Sequence, residues 1–334
     1  MIRKINKKLI AVVALAMALV LAVSAVVSFP SDKITDVIKE QETETRRSYL
    51  ILGKDKVSGL CDVIMIGSVD PVGDSAILLQ IPRDTYAVYS EKGYRKLNGA
   101  LNTLGAEGFC EFISKNFGVA IDGYLLFDLE VFKRAVDAIG GVDVDLPFDM
   151  DYDDPYQGLS IHLDAGRQHL DGAEAEKFVR YRSGYVRGDL GRLDAQKIFM
   201  SALFKKLLET DDRGMIVKAV LSVIGDLETD IPLAEIWELV GVTKGLDPQS
   251  FLMVTLPGED TRPTENGAWF YVLSQKSTER VISEYLGGGG VFDPERRFTN
   301  DKYESFRKIY GSEADIFAPN AVEIEKNGID IQKR

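Results

Sequence analysis

Between Phe178 and Gln196 the chain reads FVRYRSGYVRGDLGRLDAQ, which gathers Arg180, Arg182, Arg187 and Arg192 around Asp189. The chain as a whole is acidic, with 52 Asp plus Glu against 40 Lys plus Arg and a formal net charge of -12. Nucleic acid is argued against as a partner, because its phosphates demand a basic face. The guanidiniums therefore serve a local anion. Arg180 and Arg182 diverge by about 200° on a helix, and toward opposite faces in an extended chain. They meet one ligand only where the chain bends at Ser183–Gly184. Asp189, Arg192 and Gln196 stand at i, i+3 and i+7 and share one face of the helix that begins here. Asp189 also suits the first turn of that helix, where a negative charge is favoured.

Two further carboxylates are spaced for a metal. Asp55 follows an apolar run in GKD, Asp62 precedes the next run, and KVSGLC joins them. Two carboxylates brought to one strand end repel, and a divalent cation relieves the repulsion. Mg²⁺ (or Mn²⁺) takes one or two carboxylates and completes its shell with water and phosphate oxygens. Spacing alone fits turn residues equally well. In IPRDT, Arg83 and Asp84 lie just beyond Pro82 at a strand terminus, where ligands of open α/β sheets collect. The planar fork of Arg83 could grip a phosphate, or could pair with an aspartate and hold a loop.

Other chemistries lack their residues. There is no GxxxxGK[ST], HExxH or GxSxG, so P-loop, zincin and α/β-hydrolase readings have no support. His162 and His169 fall in a polar segment and read as surface residues. Cys61 and Cys110 lack zinc spacing and read as core thiols; sequence does not place them within bridging distance.

The elements that must position these side chains alternate. SYLILG (48–53), VIMIGSV (63–69) and SAILLQI (75–81) are strand-like, and DPVGD between the last two suits a hairpin turn. Residues 97–117 are helical in pattern, 124–129 strand-like, and 130–141 form a short helix ending at Gly140–Gly141. VDVDLP returns as a strand. Asp171 and Glu174 form a capping-box pattern for a helix running into the arginine stretch. A longer helix follows from Gly191 with Leu193, Met200, Leu203, Phe204 and Leu207 as its apolar stripe. This alternation predicts an α/β domain with a layered sheet. The run GGGG at 287–290 breaks the pattern, and 287–334 is charged and poorly periodic.

The N-terminus sets the expected compartment. Residues 1–8 carry Arg3, Lys4, Lys7 and Lys8, and residues 9–29 are almost wholly apolar. About twenty apolar residues cross a bilayer, and the cationic flank stays in the cytoplasm. A cleaved signal peptide is the alternative; the length of the run favours an uncleaved transmembrane helix. Residues 30–47 then form a stalk, and 48–286 form an extracellular domain on the outer side of the cytoplasmic membrane. Residues 287–334 form a C-terminal extension.

GKD, CDVIMIGSVDP, IPRDT, KLNGA, GGVDVDLP, LDG, FVRYR and GDLGRLDAQ, in this order over residues 48–210, resemble the LytR–CpsA–Psr family of cell-wall proteins. The resemblance implies a mixed central β-sheet sandwiched between helices, with an apolar channel for a lipid. It implies a phosphotransferase that moves an anionic glycopolymer (teichoic acid, capsule or similar) from a polyprenyl-pyrophosphate carrier to peptidoglycan. On this reading Asp55 and Asp62 hold Mg²⁺. Arg83, Arg180, Arg182, Arg192 and Gln196 surround the pyrophosphate, and Asp84 or Asp189 is the candidate proton acceptor. Where the family often carries a further arginine, this chain has Leu60 and Ala195. A non-catalytic envelope protein that binds the same lipid, or a pyrophosphate hydrolase, would use the same donor site.

Overall fold

A computed structural model describes residues 46–333 apart from 56–57, 71–72, 92–94, 156–158, 211–214, 216–218, 220–221, 233–234, 236–246 and 263–266. The apolar run at 9–29 and most of the 30–47 stalk lie outside the described residues. Among those described, no helix is long and apolar enough to cross a membrane.

The three apolar runs become β1 (Arg47–Lys54), β2 (Cys61–Asp70) and β3 (Ser75–Gln80), an antiparallel meander. They are apolar at both parities because both faces are covered. Leu50, Leu52, Ile64, Ile66, Ile77 and Leu79 enter one core. Tyr49, Ile51, Val63, Met65, Ala76 and Leu78 enter the other. After β4 (Tyr86–Ala87) and β5 (Arg95–Lys96) come α1 (Ala100–Phe117) and β6 (Gly123–Phe127), which pairs parallel to β1. Next are α2 (Leu129–Ala138), β7 (Val142–Leu146), β8 (Met150–Asp154), β9 (Leu159–Leu163) and β10 (Gly166–Leu170). The arginine stretch leaves α3 (Gly172–Arg180) and enters α4 (Asp189–Glu209). The chain continues through β11 (Glu228–Thr229), β12 (Phe251–Thr255), β13 (Gly258–Thr261), β14 (Phe270–Leu273), α5 (Gln275–Tyr285), α6 (Glu304–Tyr310) and α7 (Ala321–Asn327).

The central sheet runs β11-β6-β1-β2-β3-β12 and is mixed. Helices α2, α3, α4 and α7 supply one core; α1, α5 and α6 supply the other. The expected sandwich is thus present. The capping box forms as read, with Asp171 accepting from the Glu174 N–H and Glu174 accepting from the Asp171 N–H. Helix α2 ends earlier than its periodicity suggests, because Gly140 and Gly141 both take positive φ. A Cβ at Gly141 would lie 2.8 Å from the Leu170 carbonyl oxygen, so only glycine fits that turn.

The stretch without periodicity after residue 286 is built into both cores. Gly290 lies against Gly118, where a Cβ on either would meet the other's backbone at 2.6 Å. Phe292, Phe298, Phe306 and Tyr310 then fill the α1 side, and Ala321, Ile324 and Ile331 the α4 side. Phe298 packs edge-on to Phe117 at 5.6 Å and stacks with Phe292 at 5.7 Å. Truncating so large a buried ring costs about 3–5 kcal/mol. Phe298→Ala is therefore expected to lower the unfolding free energy by that amount, with the urea midpoint falling in proportion, and an unshifted midpoint would show that the tail contributes nothing to stability.

Candidate functional site

The site follows from strand polarity. Strands β1 and β3 run the same way, so Asp55 after β1 and Arg83 after β3 emerge at one end of the sheet, where β2 begins at Cys61–Asp62. The β1–β2 register passes from Gly53↔Val63 to Lys54↔Cys61, leaving Asp62 as the extra residue of a bulge. A bulge redirects the side chain it carries, and Asp62 reaches Arg83 at 2.8 Å, Oδ1 to Nη1. Asp55 is buried, and its Oδ1 accepts from the Ser58 N–H at 2.6 Å.

Arg83 is the hub. Its Nη2 lies 3.4 Å from Asp189 Oδ1, and its Nε 3.9 Å from Asp84 Oδ1. Asp84 Oδ2 accepts from Lys96 Nζ at 2.8 Å. On α4, Arg192 Nη2 donates to Asp189 Oδ2 at 2.8 Å. Arg182 Nη1 approaches Asp189 Oδ1 at 3.8 Å. The bend expected after Arg182 is a turn closed by the Tyr185 N–H on the Arg182 carbonyl. Arg180 is half-buried and donates to Glu176 at 2.6 Å. It still feels the charges of Asp62 and Asp55, so both arginines of RYR border the cluster despite their divergence. Arg187 does not join it: its side chain is 63% exposed and pairs with Asp194 at 3.2 Å.

Electrostatics fix the protonation states. Burial works against charge on Asp189, but the Arg192 and Arg83 guanidiniums outweigh it and hold its carboxyl below the usual carboxylate range. Burial likewise pulls Arg83 down, and the carboxylates of Asp189, Asp62 and Asp84 raise it above an ordinary arginine. Arg192 is only 1% exposed. Among the described residues its Nε and Nη1 find no hydrogen-bond acceptor, and neither does Gln196 Oε1 a donor. Gln196 Nε2 donates to the Val179 carbonyl at 3.4 Å. A guanidinium with two unanswered N–H groups, beside an arginine hub, is built for an anion with several oxygens.

The loop carrying these arginines is clamped. Tyr181 and Tyr185 meet edge-on at 5.3 Å and both contact Phe148. The tail reaches the same loop: the Val186 N–H donates to the Gln332 carbonyl at 3.0 Å, and Tyr185 bridges to Lys333. Lys96, Glu176 and Asp194 have structural charge roles that the motifs did not single out. Lys96 opens KLNGA and Asp194 lies within GDLGRLDAQ, but nothing in their spacing marked them individually; Glu176 lies outside the motifs. Cys61 and Cys110 are free thiols. His162 and His169 are exposed, each beside an aspartate.

As for a cation, Asp55 and Asp62 supply the hard carboxylate oxygens that Mg²⁺ or Mn²⁺ prefers. Among the described residues no third His, Cys, Asp or Glu joins them to make a protein-only metal cage. Two carboxylates alone would leave the rest of such an ion's shell to water and phosphate oxygens.

The family model described as LytR_cpsA_psr family matches residues 22–285. The chain is 29% identical over 267 residues to the polyisoprenyl-teichoic acid–peptidoglycan teichoic acid transferase TagU of Oceanobacillus iheyensis, covering 76% of this chain and 79% of that one. It is 30% identical over 336 residues to the cell wall biosynthesis protein LcpA of Corynebacterium glutamicum, covering 90% and 63%. The crystal structure of Bacillus subtilis TagV superposes with a TM-score of 0.64 at 26% identity, over 74% of this chain and 99% of that chain.

The Asp189–Arg192 pair is testable through stability. Removing one partner of a buried pair costs about 3–5 kcal/mol. Asp189→Asn is expected to lose that much at neutral pH. Because the folded pKa of Asp189 is depressed, its contribution is full above the ordinary carboxylate pKa of about 4 and fades as pH falls toward the folded value. Urea titrations should show the wild type and Asp189→Asn converging below about pH 4. A constant gap would mean that the pair is not ionic.

Proposed function

The chain belongs to the LytR–CpsA–Psr family, and on that premise we propose that it transfers an anionic glycopolymer from a polyprenyl-pyrophosphate carrier to peptidoglycan. The observation that carries this reading is Arg192, buried with Nε and Nη1 unanswered while its Nη2 holds Asp189. A pyrophosphate between Arg192 and Arg83 supplies the missing acceptors, and charge-assisted bonds of this kind are the strong ones.

The residues divide the work. Arg83 and Arg192 hold the pyrophosphate, Arg182 closes over it from the exposed side, and Arg180 adds charge from α3. Asp189 orients Arg192 and Arg83. Asp55 and Asp62 would hold Mg²⁺, which when bound neutralises phosphate oxygens. The hydroxyl of a peptidoglycan sugar attacks the glycan-side phosphorus, and polyprenyl phosphate leaves with the bonding electrons. Positive charge held in place before the reaction lowers the barrier as charge develops. Asp189 and Asp84 are poor proton acceptors, being tied to Arg192 and to Lys96. Asp260, on β13, is freer to accept a proton: burial and the charges of Asp189 and Asp84 raise its pKa, and among the described residues it enters no ion pair. Residues 9–29 anchor the chain in the cytoplasmic membrane with residues 30–334 outside, where the lipid carrier is reached.

Three measurements bear on this reading. Binding of a short-chain polyprenyl pyrophosphate should weaken about ten- to hundredfold in Arg192→Ala and Arg83→Ala, since each charge-assisted bond contributes about 1.5–3 kcal/mol. Arg187→Ala should change it less than about fivefold, as befits an exposed ion pair; the reverse order would move the ligand away from Arg192. Asp62→Ala should abolish Mg²⁺-dependent transfer, and full activity in that variant would remove the metal from this position. Protease added to intact protoplasts should digest the C-terminal region, whereas protection would reverse the orientation.

A further inference from the structure

Beside the arginine cluster lies a groove of about 340 Å³, within the range of small-ligand sites, roughly 300–1,000 Å³. One wall is the loop before α4 and the start of that helix, with Arg187, Asp194 and Lys197. The opposite wall combines Glu259, after β12, with Glu313, Asp315 and Phe317 of the tail. Tyr271 also lines it and feels the charge of Asp260. Asp260 in turn feels Asp189 and Asp84. The groove also adjoins the arginine cluster: Leu190, next to Asp189, lines it, and the Tyr271 N–H donates to the Asp84 carbonyl at 2.9 Å.

Its chemistry differs from that of the arginine cluster. Both cations in the groove are already engaged by one carboxylate: Asp194 Oδ2 meets Arg187 at 3.2 Å, and Oδ1 accepts from Lys197 at 3.0 Å. Lys197 is 2% exposed, and burial depresses its pKa despite Asp194. Glu259 and Asp315 remain as surplus negative charge, and Glu313 meets only the exposed Lys276, at 3.6 Å. Such a surface repels a polyanionic donor and accepts hydrogen bonds from hydroxyls. Phe317 adds a ring that is 55% exposed, flanked by Lys197 Nζ at 5.6 Å from its centroid. A large apolar ring in water beside solvent-facing carboxylates suits the face of a sugar, whose C–H groups cover the ring while its hydroxyls reach the acids. Residues 313–317 lie beyond the family match at 22–285, so this wall is not set by the motifs of the donor site.

We propose that this groove is the acceptor-side subsite and binds a neutral N-acetylhexosamine unit of the glycan strand, with Phe317 as its platform and Glu313 and Asp315 as hydroxyl acceptors. The proposal rests on the transferase reading above. It delivers the sugar hydroxyl toward Asp260 and the phosphorus. A neutral sugar could also come from the donor's own linkage region, so the test separates the two sources.

The experiment titrates a short, uncharged N-acetylglucosamine oligomer into the full chain in detergent, and separately a short-chain polyprenyl pyrophosphate without sugar. Phe317→Ala, and Glu313→Gln combined with Asp315→Asn, are expected to weaken oligomer binding about tenfold. Prior saturation with the pyrophosphate should leave oligomer binding intact, because both ligands must be held together. Exposed Val291, away from the groove, provides the control: Val291→Ala should bind the oligomer as the wild type does. Undiminished oligomer binding in both groove variants would overturn the proposal, as would competition between oligomer and a donor carrying its linkage sugars. Should transfer prove absent while the groove variants still lose the oligomer, the saccharide site stands and the transferase reading falls.

Discussion

The pairing of Arg192 with Asp189 is the constraint on which the rest depends. A guanidinium held almost wholly out of water is tolerable only beside a carboxylate, and Asp189 supplies one Oδ to Arg192 and the other to Arg83. The two arginines are thereby fixed side by side against their mutual repulsion. Arg83 is in turn shared with Asp62, which couples α4 to the start of β2. Guanidiniums are gathered at one point without a cationic surface, so an acidic chain can still present arginine donors to an anion.

The scaffold serves that pairing. Parallel alignment of β1 and β3 brings Asp55 and Arg83 to one end of the sheet, and a bulge turns Asp62 toward them. The loop from α3 to α4 is held from below by Tyr181, Tyr185 and Phe148, and from its edge by residues 332–333. Preorganisation of this kind is what electrostatic catalysis requires, because the dipoles and charges need not rearrange as the reaction proceeds.

Much of this was legible in the sequence. Apolar runs at both parities announced buried strands, and the Asp171–Glu174 spacing announced a cap that forms. The i, i+3 relation of Asp189 and Arg192 placed them on one helical face, and their ion pair follows. Two things were not legible. The destination of the tail was hidden because Phe292, Phe298 and Phe306 are buried by an irregular path, which leaves no period to read. The groove draws on residues from 187 to 317, and such long-range proximity has no local signature.

The central claim is that this charge cluster moves a glycan from a lipid pyrophosphate to peptidoglycan. The direct measurement is mass spectrometry of isolated peptidoglycan strands incubated with the full chain, Mg²⁺ and a polyprenyl-pyrophosphate-linked glycan. The account predicts strands heavier by one phosphodiester-linked glycan, with polyprenyl phosphate released in equal amount. Strands of unchanged mass, with the donor intact or cleaved only by water, would contradict it.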